Sequence, residues 1–346
     1  MEYPREDQIL ARTQAGEDKS VKRHDSTACE ALKVMANGLA SLLGITTGQK
    51  FFGIKAANPQ FLDNDDVRRW GALAGGLLHD GLYGSNVVMH VVQSFRALGA
   101  FGTNCLFSEW DVPGGQLNFK DYAISTYCIK ENNHGDVDTV ILTYKMSARQ
   151  AVQEFGRDAL DAKIVEDADK LDRESERYEF IRVVRPRTNR NITFGDNLNW
   201  PIEQVDVDVK HKKIVNETGY REFPFHVARW EKGAGEKYGR SPGTDNLADI
   251  RMIQKLAADF IDICNKKGVP PLTVLDSFPG RVNLTPGAQN RVQQHGDIAA
   301  LNPNVTGELQ AVWQALQEQR KIIRGYFYND IFTPISQLEG THRTAV

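Results

Sequence analysis

Residues 247–268 read LADIRMIQKLAADFIDICNKKG. Apolar side chains recur in this stretch at spacings of three and four residues, which places them on one face of an α-helix. The members of this face are Leu247, Ile250, Ile253, Ala257, Phe260, Ile261 and Cys264. Gly268 suits the position at a helix end. The stretch therefore predicts a long amphipathic helix with one apolar and one polar face.

A second helix of the same kind is predicted downstream, over residues 306–329, with Thr306 as its N-cap. Its apolar face comprises Leu309, Val312, Trp313, Leu316, Ile323 and Phe327. Between the two helices, residues 269–304 hold five prolines and three glycines, which predicts a compact and largely non-helical insert. Two amphipathic helices with an insert at their far ends predict a projecting hairpin.

Upstream of residue 240, helical and strand patterns alternate. Helices are predicted over residues 26–43, 64–82, 86–98 and 147–155, and Asp63 or Asn64 is a suitable N-cap for the second of them. Strands are predicted over residues 51–54, 105–110, 122–129, 137–144, 178–185, 205–215 and 225–230. This mixture predicts an α+β chain.

The strand predicted over 205–215 has a period of two. Val205, Val207 and Val209 alternate with Asp206 and Asp208. This period is typical of a sheet with one solvent-exposed face, which the charged residues are expected to occupy.

The composition is that of a globular protein, since 41% of the residues are hydrophobic and 25% are charged. The net charge is −3, whereas proteins that grip DNA phosphates usually carry a basic excess. If DNA is a partner, we expect a local contact or a wall that DNA slides past. No signal peptide and no membrane partner are predicted, because the apolar runs are far shorter than the ~18 residues of a membrane span.

Neither a metal site nor catalytic chemistry is predicted. The four cysteines, Cys29, Cys105, Cys128 and Cys264, form no C-x-x-C pair, so free thiols are expected. The histidines and cysteines do not have zinc-site spacing. No segment combines a nucleophile, a base and an oxyanion donor, and the sequence therefore predicts no enzyme and no cofactor.

The segment GEKYGRS, residues 235–241, is the nearest approach to a phosphate-binding loop. Such a loop needs the pattern G-x-x-x-x-G-K-[ST], and here the spacing differs and Arg240 stands in place of the lysine. The alternative is a tight turn in which Arg240 pairs locally and Pro242 lies in the first turn of a helix.

Three groups of segments carry a more specific signal. They are HDSTACEAL at 24–32 with LASLL at 39–43 and FFGI at 51–54; SNVVMHVVQSFRALGAFGTNCLF at 85–107; and FPFHVARW at 223–230 with GEKYGRSPG at 235–243 and LADI at 247–250. In order and spacing they resemble the portal, or head-to-tail connector, family of T7-like podoviruses. The third group is the most specific, and its central turn is Tyr238, Gly239, Arg240, Ser241 and Pro242.

The resemblance implies a portal-type subunit. Residues 1–240 would form a mixed α/β wing, 241–268 the first stem helix, 269–305 the clip, 306–330 the second stem helix and 331–346 the start of a tunnel loop. Family members continue into a further wing helix and a crown, which this sequence, ending at Val346, is not expected to contain.

The resemblance also implies a function in the virion, at the portal vertex of the capsid, after assembly in the host cytoplasm. Copies would close into a ring, usually a dodecamer, through which double-stranded DNA passes during packaging and ejection. The expected partners are the terminase large subunit, the tail adaptor, and the capsid and scaffold proteins.

Candidate channel residues are the cations of the two stem helices and three residues of the tunnel loop. They are Lys255, Lys266, Lys267, Arg320, Lys321, Arg324, Thr341, His342 and Arg343. Residues 241–346 contain ten Lys or Arg and ten Asp or Glu, and a neutral bore of this kind would let DNA slide. The same cations are equally compatible with ordinary outer or intersubunit positions.

Two other functions stay open from the sequence. One is a nucleotide-binding protein that uses the 235–241 turn. The other is a helical-hairpin scaffold that binds a partner protein and no DNA. An annular particle would distinguish the portal from both.

Overall fold

The computed structural model describes residues 23–46, 48, 50–61, 63–111, 114–170, 176–190, 195–268, 272–274, 282–283, 298–300 and 306–332. These residues divide into two units. The first contains 32–245 and Phe332, and the second contains 23–31 and 246–331. The fold is mixed, with helices and antiparallel sheets, as the α+β prediction requires.

Three α-helices come first among the described residues. Helix α1 spans Thr27–Leu42, α2 spans Asp65–Tyr83 and α3 spans Val87–Phe101. The predicted N-cap of α2 is confirmed, because the Asn64 side chain accepts hydrogen bonds from the amides of Asp66 and Val67. Helix α3 runs beyond the predicted end at residue 98 and stops where Gly102 adopts a left-handed conformation, with φ of 77°.

The strands of the first unit are β1 Cys105–Asp111, β2 Gln116–Tyr122, β3 Tyr127–Glu131, β4 Val137–Met146, β5 Tyr178–Pro186, β6 Ile202–Asp208, β7 Lys213–Tyr220 and β8 Phe225–His226. Strands β3 to β7 form a five-stranded antiparallel sheet in chain order. Strand β1 lies between β2 and β8 in a second sheet, and β8 pairs with it only at Leu106 and Phe107.

Two apolar clusters hold these sheets in place. One joins β1, β3, β4 and β8 through buried side chains that include Phe107, Tyr127, Val140 and Phe225. The other lies under helices α4 (Ala148–Phe155) and α5 (Ala162–Ala168), which connect β4 to β5. Ser147 begins α4 with a reciprocal capping box to Gln150, as its sequence favours.

The polarity predicted for the 205–215 strand is wrong. Its period of two is present, but Asp206 and Asp208 are buried, whereas Val209 is exposed. Asp206 is accommodated because Arg182 donates to it at 2.6 Å and Tyr144 at 3.0 Å. The strand also ends at Asp208, since the chain turns at 209–212, where Lys212 has φ of 53°.

Three other predicted strands also differ from the structure. The strand predicted over residues 225–230 is a strand only at Phe225–His226. The expected strand 122–129 is the end of β2, a short 3-10 helix at Ile124–Thr126 and the start of β3. Residues 51–54 belong to no helix and to no sheet.

The second unit is dominated by the predicted hairpin. After the short α6 (Pro242–Asp245), helix α7 spans Leu247–Gly268 and α8 spans Thr306–Tyr326. Both long helices are confirmed, although α8 ends before residue 329 and is followed by α9 (Asn329–Phe332). Two short antiparallel strands, β9 (Leu272–Val274) and β10 (Ile298–Ala300), are described between them, and most of residues 269–305 lies outside the described residues.

Candidate functional site

Helices α7 and α8 pack against each other through their apolar faces. The buried side chains of these faces are Ile253, Ala257, Leu316 and Ile323. The rings of Phe260 and Trp313 meet across the hairpin, with their centroids 5.6 Å apart. Burial of each large aliphatic side chain contributes about 1.5–3 kcal/mol, so the hairpin has its own hydrophobic core.

The opposite face of α7 is exposed and carries charges of both signs. Its members are Arg251, Lys255, Asp259, Asp262 and Lys266, which follow one another at spacings of three and four residues. None of them forms an ion pair within the described residues. Asp259 and Asp262 separate Arg251 and Lys255 from Lys266, so this face has no continuous basic strip.

The exposed face of α8 is rich in amides. Gln310, Gln314, Gln317, Lys321 and Arg324 recur at the same helical spacing, and all are exposed. Amide side chains can donate hydrogen bonds to phosphate oxygens without adding charge. Lys321 and Arg324 are channel candidates from the sequence, whereas the three glutamines are not, although their helical spacing is visible there.

Arg320 differs from the other candidate cations because it is engaged within the same unit. Its guanidinium donates twice to Asp25, from Nε at 3.0 Å and from Nη2 at 2.8 Å. The Asp25 side chain is buried, and it also accepts a hydrogen bond from the Thr27 amide at 2.8 Å. Lys255, Lys266 and Lys267, by contrast, are exposed, and Thr341, His342 and Arg343 lie outside the described residues.

Asp25 and Gln254 anchor the segment before α1 to the hairpin. The Gln254 side chain accepts from the amides of His24 and Asp25 and donates to the Asp25 carbonyl at 2.7 Å. Burial alone would raise the pKa of Asp25, but hydrogen bonds from Thr27 and Arg320 outweigh it and leave the pKa below its ordinary value. Sequence reasoning missed this anchor because Asp25 and Arg320 are 295 residues apart.

The glycine-containing turn before the hairpin packs backbone against backbone. A Cβ at Gly239 would overlap the carbonyl oxygen of Gly102, and a Cβ at Gly102 would overlap that of Gly239. The Gly239 amide donates to the Thr103 hydroxyl at 2.8 Å. The two glycines therefore permit a close approach between the end of α3 and the turn.

The remaining residues of the turn are held by local contacts. The Arg240 guanidinium pairs with Glu236 at 2.7 Å, and Ser241 caps α6 by accepting from the Thr244 amide at 3.0 Å. The Tyr238 hydroxyl accepts from the Ile129 amide at 3.3 Å. The turn thus joins three parts of the first unit and leads into α7 along the chain.

A sequence model of the family described as "Bacteriophage head to tail connecting protein" matches residues 1–346. The chain belongs to this connector family. The portal protein of Salmonella phage epsilon15 is 26% identical over 338 residues, covering 92% of this chain and 58% of that protein. The probable portal protein of Bordetella phage BPP-1 is 25% identical over 344 residues, covering 95% of this chain and 60% of that protein. The chain therefore spans about three fifths of the length of these relatives.

The connector resemblance drawn from the sequence is thereby confirmed. The interpretation of residues 235–241 as a structural turn also holds, because Arg240 pairs locally and Pro242 begins α6. Three successive backbone amides of this turn already donate hydrogen bonds. The Gly239 amide donates to the Thr103 hydroxyl. The Arg240 amide donates to the Glu231 carbonyl and the Ser241 amide to the Thr244 hydroxyl, both at 2.7 Å. A phosphate would have to displace these bonds, which argues against the nucleotide-binding alternative.

The cysteines and the metal-ligating side chains give no second candidate site among the described residues. All four cysteines are free thiols, with Cys105 buried and the other three exposed. Within the described part of the chain, no three His, Cys, Asp or Glu side chains are grouped to hold a metal ion. Among the same residues, no helix has the length and apolar character needed to cross a membrane.

Proposed function

We propose that this connector chain is a phage portal subunit whose copies close into a ring around double-stranded DNA. Its family membership and the names of its two relatives support the portal role. The observation that carries the channel is the α7–α8 hairpin, whose helices pack on one face and expose a polar face on the other. A channel wall needs this division, because one face must meet neighbours and another must meet hydrated DNA.

The exposed faces of α7 and α8 favour weak contacts with moving DNA over tight binding of DNA. A strongly basic wall would attract each phosphate tightly, since affinity for DNA rises with the number of phosphates neutralised. Here Asp259 and Asp262 interrupt the cations of α7, and the exposed face of α8 carries three amides beside its two cations. The contacts with phosphate are then weak and similar at successive positions, so that DNA can slide past them.

The division of the chain follows the family resemblance. We assign residues 1–240 to the wing, 241–268 and 306–330 to the stem helices, 269–305 to the clip and 331–346 to the start of the tunnel loop. The clip would dock the terminase large subunit during packaging and the tail adaptor afterwards. The wing would contact capsid and scaffold proteins at the portal vertex of the virion. The subunit acts as a structural channel and not as an enzyme.

The proposed DNA-facing cations are Lys255, Lys266, Lys267, Lys321 and Arg324, which are exposed on the hairpin. Thr341, His342 and Arg343 would approach DNA from the tunnel loop. We assign Arg320 a structural role instead, because its guanidinium is bound to the buried Asp25.

Electron microscopy of the purified protein tests the ring. We expect annular particles with a central hole, usually of twelve copies. A helical scaffold that binds only a partner protein would give particles without a hole, and that result would contradict the portal function.

Charge reversal on α7 tests whether its exposed face lines the proposed channel. Replacing Lys255 and Lys266 by Glu should lower the DNA content of phage heads while rings still form, because the variant wall repels phosphates. A matched control reverses Lys130 and Lys163, which are exposed in the first unit. Equal DNA content in both variants would refute the assignment of α7 to the channel.

A further inference from the structure

Helix α2 presents large apolar side chains to solvent. Trp70, Leu73 and Leu77 are 63%, 65% and 74% exposed, and their spacing places them on one side of the helix. The opposite side holds Gly71, where a Cβ would lie 2.7 Å from the Ile54 carbonyl oxygen. A surface helix normally turns polar residues outward, so an apolar outer face indicates a surface that another surface covers.

A carboxylate stands at each end of this apolar stripe. Asp66 lies one turn before Trp70 on the same side of the helix, and Asp80 lies three residues after Leu77. Both are exposed, and neither is paired with a lysine or arginine among the residues that the structure describes. The fourteen residues of helix from Asp66 to Asp80 span about 21 Å.

The five-stranded sheet has an apolar face of similar character. It is the face turned away from α4 and α5, because Tyr178 and Phe180 pack under those helices and the residues between them point to the other side. Its apolar centre forms two rows across the strands, in which every side chain is half-buried or exposed. The rows are Ile141, Val183 and Val205, and then Thr143, Ile181, Val207 and Ile214. Neither apolar cluster of the two described above includes any of them.

A cation stands at each end of these rows. Arg185 follows Val183 on the same face of β5, and its side chain is 58% exposed. Its Nε donates to Glu203, whereas its two terminal nitrogens have no acceptor among the described residues. At the other end Lys145 is exposed and lies opposite Glu179, and it forms no ion pair in the described part of the chain. The six residues of strand from Glu179 to Arg185 span about 20 Å.

The two surfaces match in length, in chemistry and in charge. Each has an apolar centre with a charged group at either end, and the ends are about 20 Å apart on both. The helix carries carboxylates where the sheet carries cations, and an apolar helix face is a standard cover for an apolar sheet face. We propose that α2 of one copy packs on this sheet face of the next copy.

The charges also give the direction of the helix. With α2 antiparallel to β5, Asp66 lies over Arg185 and Asp80 lies beside Lys145. The opposite direction would place Asp66 over Glu179, where like charges repel. Two different surfaces of one chain then join head to tail, which is the contact type that generates rings. The inference rests on the proposed ring and names the contact between its copies.

Mass photometry of the full chain tests the apolar centre of the contact. Leu73→Ser with Leu77→Ser on the helix, or Ile181→Thr with Val207→Thr on the sheet, should weaken association about tenfold or more, because apolar area is lost from the contact. Threonine keeps the β-branched shape that strands favour, and hydrogen exchange in β4 to β6 verifies that the sheet variant is folded. Trp110→Ser, at a side chain that is 60% exposed on the other sheet, is the control and should assemble normally.

Charge exchange tests the direction of the helix. Asp80→Lys or Lys145→Glu alone should weaken association about threefold or more, because like charges then face each other. The two substitutions combined in one chain restore an opposite pair and should restore association. Lys163→Glu, at an exposed position on α5, is the matched control and should have no effect.

A disulfide bond between copies gives a second reading of the contact. Chains with Leu77→Cys and chains with Val207→Cys are prepared separately, and serine replaces the three exposed native cysteines, Cys29, Cys128 and Cys264. Under mild oxidation the mixture should give covalent dimers that neither chain forms alone.

Each outcome has a distinct meaning. Association that is unchanged by the helix and sheet variants, or a mixture without covalent dimers, overturns this contact and leaves the ring standing. Association that the combined charge exchange does not restore overturns the antiparallel direction. A wild-type chain that stays monomeric overturns both the contact and the ring.

Discussion

At the scale of single residues, the contact between Gly102 and Gly239 leaves no room for a side chain. Replacing Gly239 by Ala forces two backbone segments apart and should cost about 1–3 kcal/mol of stability in the first unit. Hydrogen exchange measured along β1 and β3 reports this loss. Gly81→Ala is the control, because a Cβ there meets nothing within 4 Å and alanine favours a helix. Equal exchange in the two variants would show that the turn tolerates a side chain.

Asp25 gives a prediction that depends on pH. Its pKa is below the ordinary 3.8, so its contribution to stability is present above that value and is lost as the pH falls through the lower, folded pKa. Asp25→Asn should therefore destabilise the second unit by about 1–3 kcal/mol at pH 7, with the difference shrinking below about pH 4. Hydrogen exchange of α7 and α8 measures it, with the exposed Asp330→Asn as control. A cost that stays constant down to pH 3 would contradict the ionised pair.

Sequence reasoning succeeds for residues whose role is set by near neighbours. Asn64 and Ser147 cap their helices because a short polar side chain can reach the amides two or three positions ahead. Asp25 could not be identified in this way, since its partner Arg320 lies at the far end of the chain. Only the folded unit brings the two side chains together.

At the scale of elements, the hairpin helices were predictable because their apolar faces repeat over many turns. Leu316, which is buried between them, tests their packing. Leu316→Ala should destabilise the hairpin by about 2–5 kcal/mol and speed hydrogen exchange in α7 and α8, while the five-stranded sheet stays protected. Gln317→Ala, on the exposed face, should change neither. Faster exchange across the whole chain would contradict a separate core in the second unit.

Strand β6 shows what a sequence pattern does not predict about a secondary-structure element. A period of two identifies the strand but not which face is buried. The buried face here is the polar one, because Arg182, Tyr144, Gln204 and Asn216 supply Asp206 with hydrogen bonds. Those donors come from three other strands of the sheet and from β6 itself, and the sequence near Asp206 does not predict them. The strand predicted over residues 51–54 is absent for a related reason, since a strand pattern does not show whether a partner strand is present.

At the scale of the whole molecule, the sequence identified the family because three separated groups of segments kept their order and spacing, and the match extends over residues 1–346. The proposed channel would need many copies, and one chain presents only its parts. The proposal assigns the exposed faces of α7 and α8 to this channel.

A density map of the assembled particle, resolved well enough to trace helices, tests the channel most directly. We predict a closed ring in which residues 247–268 and 306–326 of every copy line the hole, with Lys255 and Lys321 directed toward its axis. Helices placed on the outer surface, or an assembly with no central hole, would contradict the account.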